Sequence, residues 1–544
     1  MHKNLLPKYS VPLFLLVILF ISLINVGSYG VIETSDARYA EISREMFESE
    51  DFLHPTLLGI GHYHKPPFTY YITAISYCLW GVSPFAARFF IQLFIIFQLW
   101  LVFKITLELW GDKKLAIWSA LIYLSFPIVL ISSRNLTTDP YLTTFVILSI
   151  YSWILFKKRN HVAYLYLFAA SLGLGFLTKG PLIIIVSVVF CVLFSFLNRQ
   201  QYKNKVSLHS LGAFVVFGII GGSWFYFLMR ENNEYFNYFI GHHIVERYSK
   251  DVFQRSEPFW YYLAIAPVVG LPWLLTLPIT LWKNRFAILQ NKMLRILLLS
   301  LVIPFLFFSS ASSKLIPYIL PLYSLFALLI AYTLKEFQLH KFNKYIIVFF
   351  TALITFLNVL AFAFPLEIQI PFICSIIGLL VGVIQVGIWR LTTLNIKSKL
   401  ISLSTLSALL LLINSGAIMA NNELQVNSTQ PIANFIVDKQ LQNKNILVYN
   451  KRLPSLSFNM QKPIISLYDG NRDLNRETQF ERDTLWKQNL INLQSQKELT
   501  KFMDLLNQES TVLITYKNRI PEERQWILNY YPSKVEMGKW QVYY

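Results

Sequence analysis

The strongest constraint on the fold is a series of about thirteen apolar runs, each close to the length that crosses a bilayer as a helix. Hydrophobic residues make up 55% of the chain, charged residues make up 14%, and the mean hydropathy is +0.46. This composition is typical of a multi-pass membrane protein and excludes a soluble globule. The predicted spans are 11–28, 86–109, 115–133, 141–157, 162–178, 181–197, 208–229, 259–281, 295–310, 315–334, 344–364, 370–390 and 399–419.

Basic residues collect in every second connection between these runs. They are Lys113, Lys114, Lys157, Lys158, Arg159, Arg199, Lys203, Lys205, Lys283, Arg285, Lys292, Arg295, Lys335, Lys341, Lys344, Arg390, Lys397 and Lys399. The positive-inside rule places these loops and the N-terminus in the cytoplasm, which accounts for the net charge of +18 without a nucleic-acid partner. The connections 29–85, 134–140, 230–258 and 311–314, and the tail after 420, then fall on the outer face.

This topology requires that the apolar segment Phe68–Trp80 does not cross the membrane. Its 13 residues are short for a span but suit a helix that lies at the membrane interface. If it crossed, every later loop would change sides and the basic loops would lie outside. The charge pattern therefore predicts an interfacial helix here.

The first outer loop is unusually rich in ionisable residues for a segment beside a bilayer, where such groups must be solvated, paired or used. Thr34 or Ser35 can cap a helix that starts at Asp36. We expect this helix to lie on the membrane surface, with an apolar face of Tyr39, Ile42, Met46 and Phe47 and a polar face of Glu41, Arg44, Glu45 and Glu48. The double proline Pro66–Pro67 stiffens the chain after Lys65.

The composition changes after residue 420, where charge rises and short β-rich runs appear. The predicted strands are 446–449, 463–468, 511–516 and 540–544, with helices near 430–442 and 494–508. We therefore expect two domains: a transmembrane domain over 1–420 and a small outer α/β domain over 421–544.

The reactive residues lie at the outer ends of spans rather than at their midpoints, which favours chemistry at the outer leaflet over transport. Asp36 and Asp139, on separate outer loops, are candidates to handle an acceptor proton or to hold a cation. Several outer-face cations and their neighbours are candidates to bind a lipid phosphate or other parts of a substrate: Arg38, Tyr39, Lys65, Lys179, Arg247, Arg255, Lys314 and Tyr318. Helix capping, turn formation and snorkelling are the structural alternatives for these residues.

Histidines in two outer loops suggest a metal site. His62 and His64 are two residues apart, so they need a ligand from another element to bind one ion, and His242 or His243 could supply it. The prediction is a zinc-like divalent site that includes His64 and His243. Interfacial histidines bonded to headgroups or backbone are the alternative.

Seven short segments resemble the GT-C fold glycosyltransferases, namely the lipid A aminoarabinose transferases and, more distantly, the dolichyl-phosphate-mannose protein mannosyltransferases. The segments are RYAEISREM (38–46), KPP (65–67), DP (139–140), LTKG (177–180), PFWYY (258–262), LPW (271–273) and SKLIPYILP (313–321). The resemblance implies a polytopic helical fold of about thirteen spans, interfacial helices in the first outer loop and a soluble outer domain. It also implies a sugar donor on undecaprenyl phosphate, with Lys65, Arg247 and Tyr318 at the donor phosphate and the acids of the first two outer loops serving the acceptor or catalysis.

Two positions depart from the pattern of this family. Ser35 stands where the family has the first of two acids, so either Glu33 or Asp36 is left to act in its place. His64 stands where the family often has Glu, and this exchange suits zinc rather than magnesium.

The sequence therefore predicts a glycosyltransferase of the bacterial inner membrane that moves a sugar from a polyprenyl phosphate to a lipid, glycan or protein acceptor. Asp36 and Asp139 would be catalytic, and Lys65, Arg247 and Lys314 would offset the charge on the leaving phosphate. Arg38, Tyr39 and Lys179 would bind substrate. A lipid-linked-glycan ligase or polymerase, and a non-catalytic transporter of lipid-linked sugars, are the alternatives.

Overall fold

The computed structural model describes residues 10–202, 208–239, 241, 256–360, 367–476, 478–508 and 510–544. Helices dominate as far as residue 421, and a mixed sheet follows. The helices before the sheet are Ser10–Leu23, Ser35–Ser49, Phe68–Trp80, Pro84–Trp110, Lys113–Leu124, Pro127–Ser133, Asp139–Arg159, Val162–Lys179, Leu182–Leu197, Leu208–Glu231, Glu234–Phe236, Tyr261–Val269, Trp273–Lys283, Arg285–Gln290, Lys292–Ser310, Leu322–Glu336, Lys341–Leu360, Phe372–Leu391 and Ile396–Asn421.

Each predicted span coincides with helical structure. Among the described residues, eight helices are long and apolar enough to cross a membrane, and two bent pairs raise this number to ten. The remaining three predicted spans are shorter helices: Ser10–Leu23, Leu182–Leu197 and Leu322–Glu336. The expected class, a polytopic helical membrane protein with a small α/β unit at its end, is confirmed.

Two predicted spans are broken rather than continuous. The span at 115–133 bends by 64° before Pro127, and the span at 259–281 bends by 111° before the helix that starts at Trp273. Proline lacks an N–H and disfavours helical geometry in the residue before it, so Pro127 and Pro272 explain both breaks.

The halves of the second broken span contact opposite ends of the bundle. Near its start, Tyr262 donates a hydrogen bond through its Oη to the carbonyl of Leu315, at 2.9 Å. Near its end, the Thr276 carbonyl accepts a hydrogen bond of 3.1 Å from Nδ2 of Asn343, close to the start of the helix Lys341–Leu360. The bent pair therefore still connects one face of the bundle to the other.

Loops that the charge pattern assigned to one side do meet in the structure. The Nζ of Lys335 lies 2.8 Å from Oδ2 of Asp112, and Nη2 of Arg159 lies 2.5 Å from Oε1 of Glu108. We call this end of the bundle the basic face, and the opposite end, which carries the first loop 29–85, the site face.

The first loop folds into three elements on the site face. They are the first-loop helix Ser35–Ser49, a hairpin of β1 (Thr56–Leu57) and β2 (Ile60–Gly61), and the helix Phe68–Trp80. Half of the predicted polar face of the first-loop helix is buried: Glu41 and Arg44 are 0% and 2% exposed and form a two-pronged ion pair with N–O distances of 2.7 and 2.8 Å, whereas Glu48 is 49% exposed. The helix Pro454–Met460 of the C-terminal unit packs against this helix.

The C-terminal sheet unit has six strands in the order β5-β4-β3-β6-β8-β7. The strands are β3 Asn445–Tyr449, β4 Ile465–Tyr468, β5 Leu490–Asn492, β6 Thr511–Tyr516, β7 Lys534–Met537 and β8 Trp540–Tyr543, and the helices are Gln430–Asp438, Pro454–Met460 and Gln496–Asn507. Strands β3 to β6 pair in parallel, and β8 pairs antiparallel with both β6 and β7. The apolar strands were predicted, whereas the short β5 and the charged β7 were not.

Candidate active site

A buried ion pair on the site face joins two of the predicted functional residues. Asp139 begins the helix Asp139–Arg159 and Lys179 ends the helix Val162–Lys179, so the ends of neighbouring helices bring them together. The Lys179 ammonium donates to Asp139 Oδ1, and the two residues are only 7% and 6% exposed. The same ammonium lies 4.4 Å from the ring centroid of Tyr318, in the short 3₁₀ turn Ile316–Ile319. We call Asp139, Lys179 and Tyr318 the acid–cation centre.

Tyr39 of the first-loop helix lies beside this centre. Burial raises the pKa of the Tyr39 phenol. The Asp139 carboxylate and Tyr318 also raise this pKa, whereas the positive charge of Arg38 lowers it. Its ring packs at 5.7 Å from that of Tyr70. The predicted substrate-binding residue Tyr39 therefore lies close to Asp139, although 100 residues of sequence separate them, and Arg38 precedes it with its guanidinium 5.7 Å from the Tyr39 ring.

Lys65 lies in the connection between the hairpin and the helix Phe68–Trp80, where it is partly buried. This connection runs close to the start of the helix that carries Asp139: the ring of Phe68 packs at 5.9 Å from Tyr141 and at 5.0 Å from Phe145. The proline pair that follows Lys65 restricts the backbone there.

Asp36, the other predicted acid, occupies a different environment. It is 1% exposed, and its carboxylate accepts backbone N–H bonds from Ile32 at 2.9 Å and Leu136 at 2.7 Å. The guanidinium of Arg88 donates two more, one of them from Nε at 3.2 Å. With four donors on its two oxygens, Asp36 joins the first loop, the second span and the loop at 134–138, and this geometry suits a structural acid better than a proton acceptor.

The remaining predicted site residues are distributed differently. Lys314 donates to the carbonyls of Glu257 and Ala311, both at 2.6 Å, so its ammonium ties two loop segments together on the site face. Arg247, Arg255, His242 and His243 lie outside the described residues.

Of the two ligands of the predicted zinc site, the structure describes only His64. Its ring stacks on that of His62, with centroids 4.1 Å apart and planes 26° apart. Among the residues that the structure describes, no group of three metal-ligating side chains is present. A metal site that uses His64 stays a prediction that depends on His243.

Sequence reasoning missed two buried arginines. Arg88 is 0% exposed and donates to the carbonyls of Val26, Tyr29 and Gly30 as well as to Asp36. Arg134 donates to the carbonyls of Ser22 and Leu412 and so ties the first and last spans to the loop that precedes Asp139. The available signal was an arginine inside or beside an apolar run, because such a residue requires a nearby acceptor.

Comparison with known proteins relates the fold to a family. Residues 9–233 match the family described as dolichyl-phosphate-mannose-protein mannosyltransferase. An undecaprenyl phosphate-alpha-4-amino-4-deoxy-L-arabinose arabinosyl transferase from Proteus mirabilis (strain HI4320) is 31% identical over 344 residues, which cover 62% of each chain. A protein of the same name from Pectobacterium carotovorum is 32% identical over 337 residues, which cover 61% of this chain and 60% of the relative. The match thus extends over about three fifths of the length of these relatives.

Solved structures extend the likeness to the whole chain. The crystal structure of ArnT from Cupriavidus metallidurans bound to undecaprenyl phosphate superposes with a TM-score of 0.76 at 19% identity and covers 98% of both chains. An oligosaccharyltransferase from Archaeoglobus fulgidus superposes with a TM-score of 0.50 at 10% identity, over 96% of this chain and 71% of that one. The resemblance in the sequence motifs is confirmed: the chain is similar in sequence to the aminoarabinose transferases over about three fifths of its length and has the fold of the solved ArnT structure.

Proposed function

We propose that this protein is a membrane glycosyltransferase that moves a sugar from undecaprenyl phosphate to a lipid or glycan acceptor. The observation that carries the proposal is the acid–cation centre, in which a buried acid, a buried ammonium and a half-buried phenol meet at the span ends beside the first loop. The names of the sequence relatives, and the undecaprenyl phosphate bound to the solved ArnT structure, support this donor.

In the proposed reaction an acceptor oxygen attacks the anomeric carbon of the sugar. The bond between that carbon and the phosphate oxygen breaks, and the electron pair leaves with the lipid phosphate. Lys179, which is buried, and Lys65, which is partly buried, would offset the charge that builds on this leaving group, since cations held away from bulk water stabilise it without reorganisation. Arg247, outside the described residues, is the third candidate for the same phosphate.

The acceptor determines what the acids do. A hydroxyl acceptor must lose a proton, and Asp139 is the described carboxylate at the centre that can take it once Lys179 turns to the donor phosphate. A phosphate acceptor is already ionised and needs no base. In that case the pair of Asp139 and Lys179 orients the substrates, and Tyr39 lines the site.

We further propose that the basic face lies in the cytoplasm, so that the acid–cation centre and the sheet unit lie on the periplasmic side of the inner membrane. The concentration of lysines and arginines at the basic face supports this orientation. The division into a catalytic membrane domain, 1–420, and a periplasmic domain, 421–544, follows from it. No step of the proposed reaction passes through a metal ion.

The test uses purified full-length protein in liposomes with a synthetic undecaprenyl phosphate sugar and extracted lipid A, and mass spectrometry of the products. We expect Lys65→Ala to lower the transfer rate by about 100-fold or more, whereas Lys341→Ala, an exposed lysine on the basic face, should have no effect. Full activity of Lys65→Ala would refute its role at the leaving group.

Mass spectrometry of lipid A and surface proteins from a deletion strain would identify the natural acceptor. Transfer of an oligosaccharide in place of one sugar would favour the ligase alternative. Movement of the lipid-linked sugar across liposomes without a covalent product would favour a transporter and overturn the proposal.

A further inference from the structure

One connection of the sheet unit reaches across to the first loop. We call residues 476 and 478–482, which lie between β4 and β5, the clasp segment. Arg476 donates from Nη2 to the carbonyl of Leu57 in β1, at 3.0 Å, and to the carbonyl of Ile60 in β2, at 2.9 Å. One guanidinium of the clasp segment therefore binds both strands of a hairpin that lies more than 400 residues earlier in the chain.

Two further residues of the clasp segment extend this contact along the first loop. Glu481 accepts the backbone N–H of Gly61 through Oε1, at 2.5 Å. The ring of Phe480, which is 8% exposed, packs edge-on against the ring of Tyr63, with centroids 5.7 Å apart. The clasp segment thus contacts the first loop from its hairpin as far as Tyr63, two residues before Lys65.

The backbone that carries Lys65 is held on both sides. On one side lies Tyr63, which the clasp segment packs against. On the other side the proline pair restricts the backbone, and the ring of Phe68 packs 5.9 Å from that of Tyr141 in the helix Asp139–Arg159. The sheet unit and this helix therefore fix the two ends of the short segment that contains Lys65.

Another contact of the clasp segment is exposed and fixes the first loop less firmly. Arg482 forms an ion pair with Glu231, and the two side chains are 61% and 40% exposed. Exposed ion pairs contribute little to stability because water and salt screen them. The contacts that can position the first loop are therefore those of Arg476, Glu481 and Phe480, which are partly or fully buried.

We propose that the clasp segment makes the sheet unit a positioning element for the donor: through the hairpin and Tyr63 it holds Lys65 where its ammonium meets the donor phosphate. This inference rests on the proposed function for the role of Lys65. Arg476 acts on the reaction only through the first loop, so it is a positioning residue. A displacement of about 1 Å at a catalytic group lowers a rate by about 100-fold, so contacts of this kind are sufficient to control transfer.

Hydrogen exchange of the full-length protein in nanodiscs tests the clasp without any substrate. Arg476→Gln removes charged hydrogen bonds to the hairpin, and we expect the amides of residues 57–63 to exchange at least about tenfold faster. Arg524→Gln is the matched control, because Arg524 donates to the Leu493 carbonyl at 2.8 Å within the sheet unit itself. Unchanged exchange of these amides in Arg476→Gln would overturn the proposal.

Titration of the same nanodiscs with undecaprenyl phosphate measures the consequence for Lys65. We expect Arg476→Gln to raise the Kd about tenfold, Arg476→Lys to recover part of the affinity because it keeps a charged donor, and Arg524→Gln to leave the Kd unchanged. In a Lys65→Ala background, Arg476→Gln should have no further effect, because a residue that acts through Lys65 then has nothing to position.

The double variant separates positioning from a general loss of stability. An equal increase in Kd in the presence and absence of Lys65 would show that Arg476 only supports the fold, and would overturn the proposal. If the wild type and Arg476→Gln bound undecaprenyl phosphate equally well, the clasp alone would be refuted. If the wild type did not bind it, the proposed donor would be wrong, and the role of the clasp would be refuted with it.

Discussion

The change Asp36→Asn separates a structural role from a catalytic one. Asp36 and Arg88 are 1% and 0% exposed, and the carboxylate is the counter-charge of the guanidinium. The amide would keep one acceptor oxygen but would point an NH₂ group at donors that now have no acceptor. Breaking a buried pair in this way costs about 3 to 5 kcal/mol, which lowers the ratio of folded to unfolded protein by about two to three and a half orders of magnitude.

Equilibrium unfolding in mixed micelles with a denaturing detergent measures this loss. Glu108→Gln is the matched control, because Glu108 pairs with an arginine that is 49% exposed and should contribute less than about 1 kcal/mol. We expect Asp36→Asn to lose transfer activity because it loses stability. If Asp36→Asn were as stable as Glu108→Gln, our account of the buried pair would be refuted, and a stable but inactive variant would return Asp36 to a catalytic role.

Two further changes test the contact between the first loop and the sheet unit. Burial raises the pKa of Glu33 to about 7. The stability that Glu33 contributes is therefore complete below pH 4.5 and is lost as the pH rises through 7, by at most about 3 kcal/mol. Glu33→Gln should flatten the pH dependence of the free energy of unfolding between pH 5 and 8, and an unchanged slope would contradict this. Gly59 has a φ of +67°, and an added Cβ would lie 2.1 Å from Nδ2 of Asn489. Gly59→Ala should therefore lower the free energy of unfolding by about 1 to 2 kcal/mol and make the hairpin accessible to protease. Gly218→Ala, inside a helix with open space around it, should not destabilise, and equal protease sensitivity of the two variants would refute the close packing at Gly59.

Most helices of the transmembrane domain could be predicted from the sequence because the local composition of each segment determines whether it forms a span. A run of apolar residues of sufficient length must form a helix in a bilayer, since its backbone groups have no other partners there. The alternation of basic loops then predicted which loops share a face, and the ion pairs at Asp112 and Glu108 agree. The motifs around Arg38, Lys65 and Asp139 also indicated the fold.

The tertiary structure decided what each charged residue does. The charged residues of the first-loop helix were predicted to form an exposed face. In the structure Glu41 and Arg44 are buried, and the helix Pro454–Met460 of the sheet unit packs against this helix. The sequence predicted that Asp36 is a catalytic acid, but in the structure its carboxylate accepts a hydrogen bond from Arg88, 52 residues away. The sequence determines where apolar segments end because that depends on neighbours along the chain, whereas the state and role of a charge depend on burial and on partners that only the folded chain brings near.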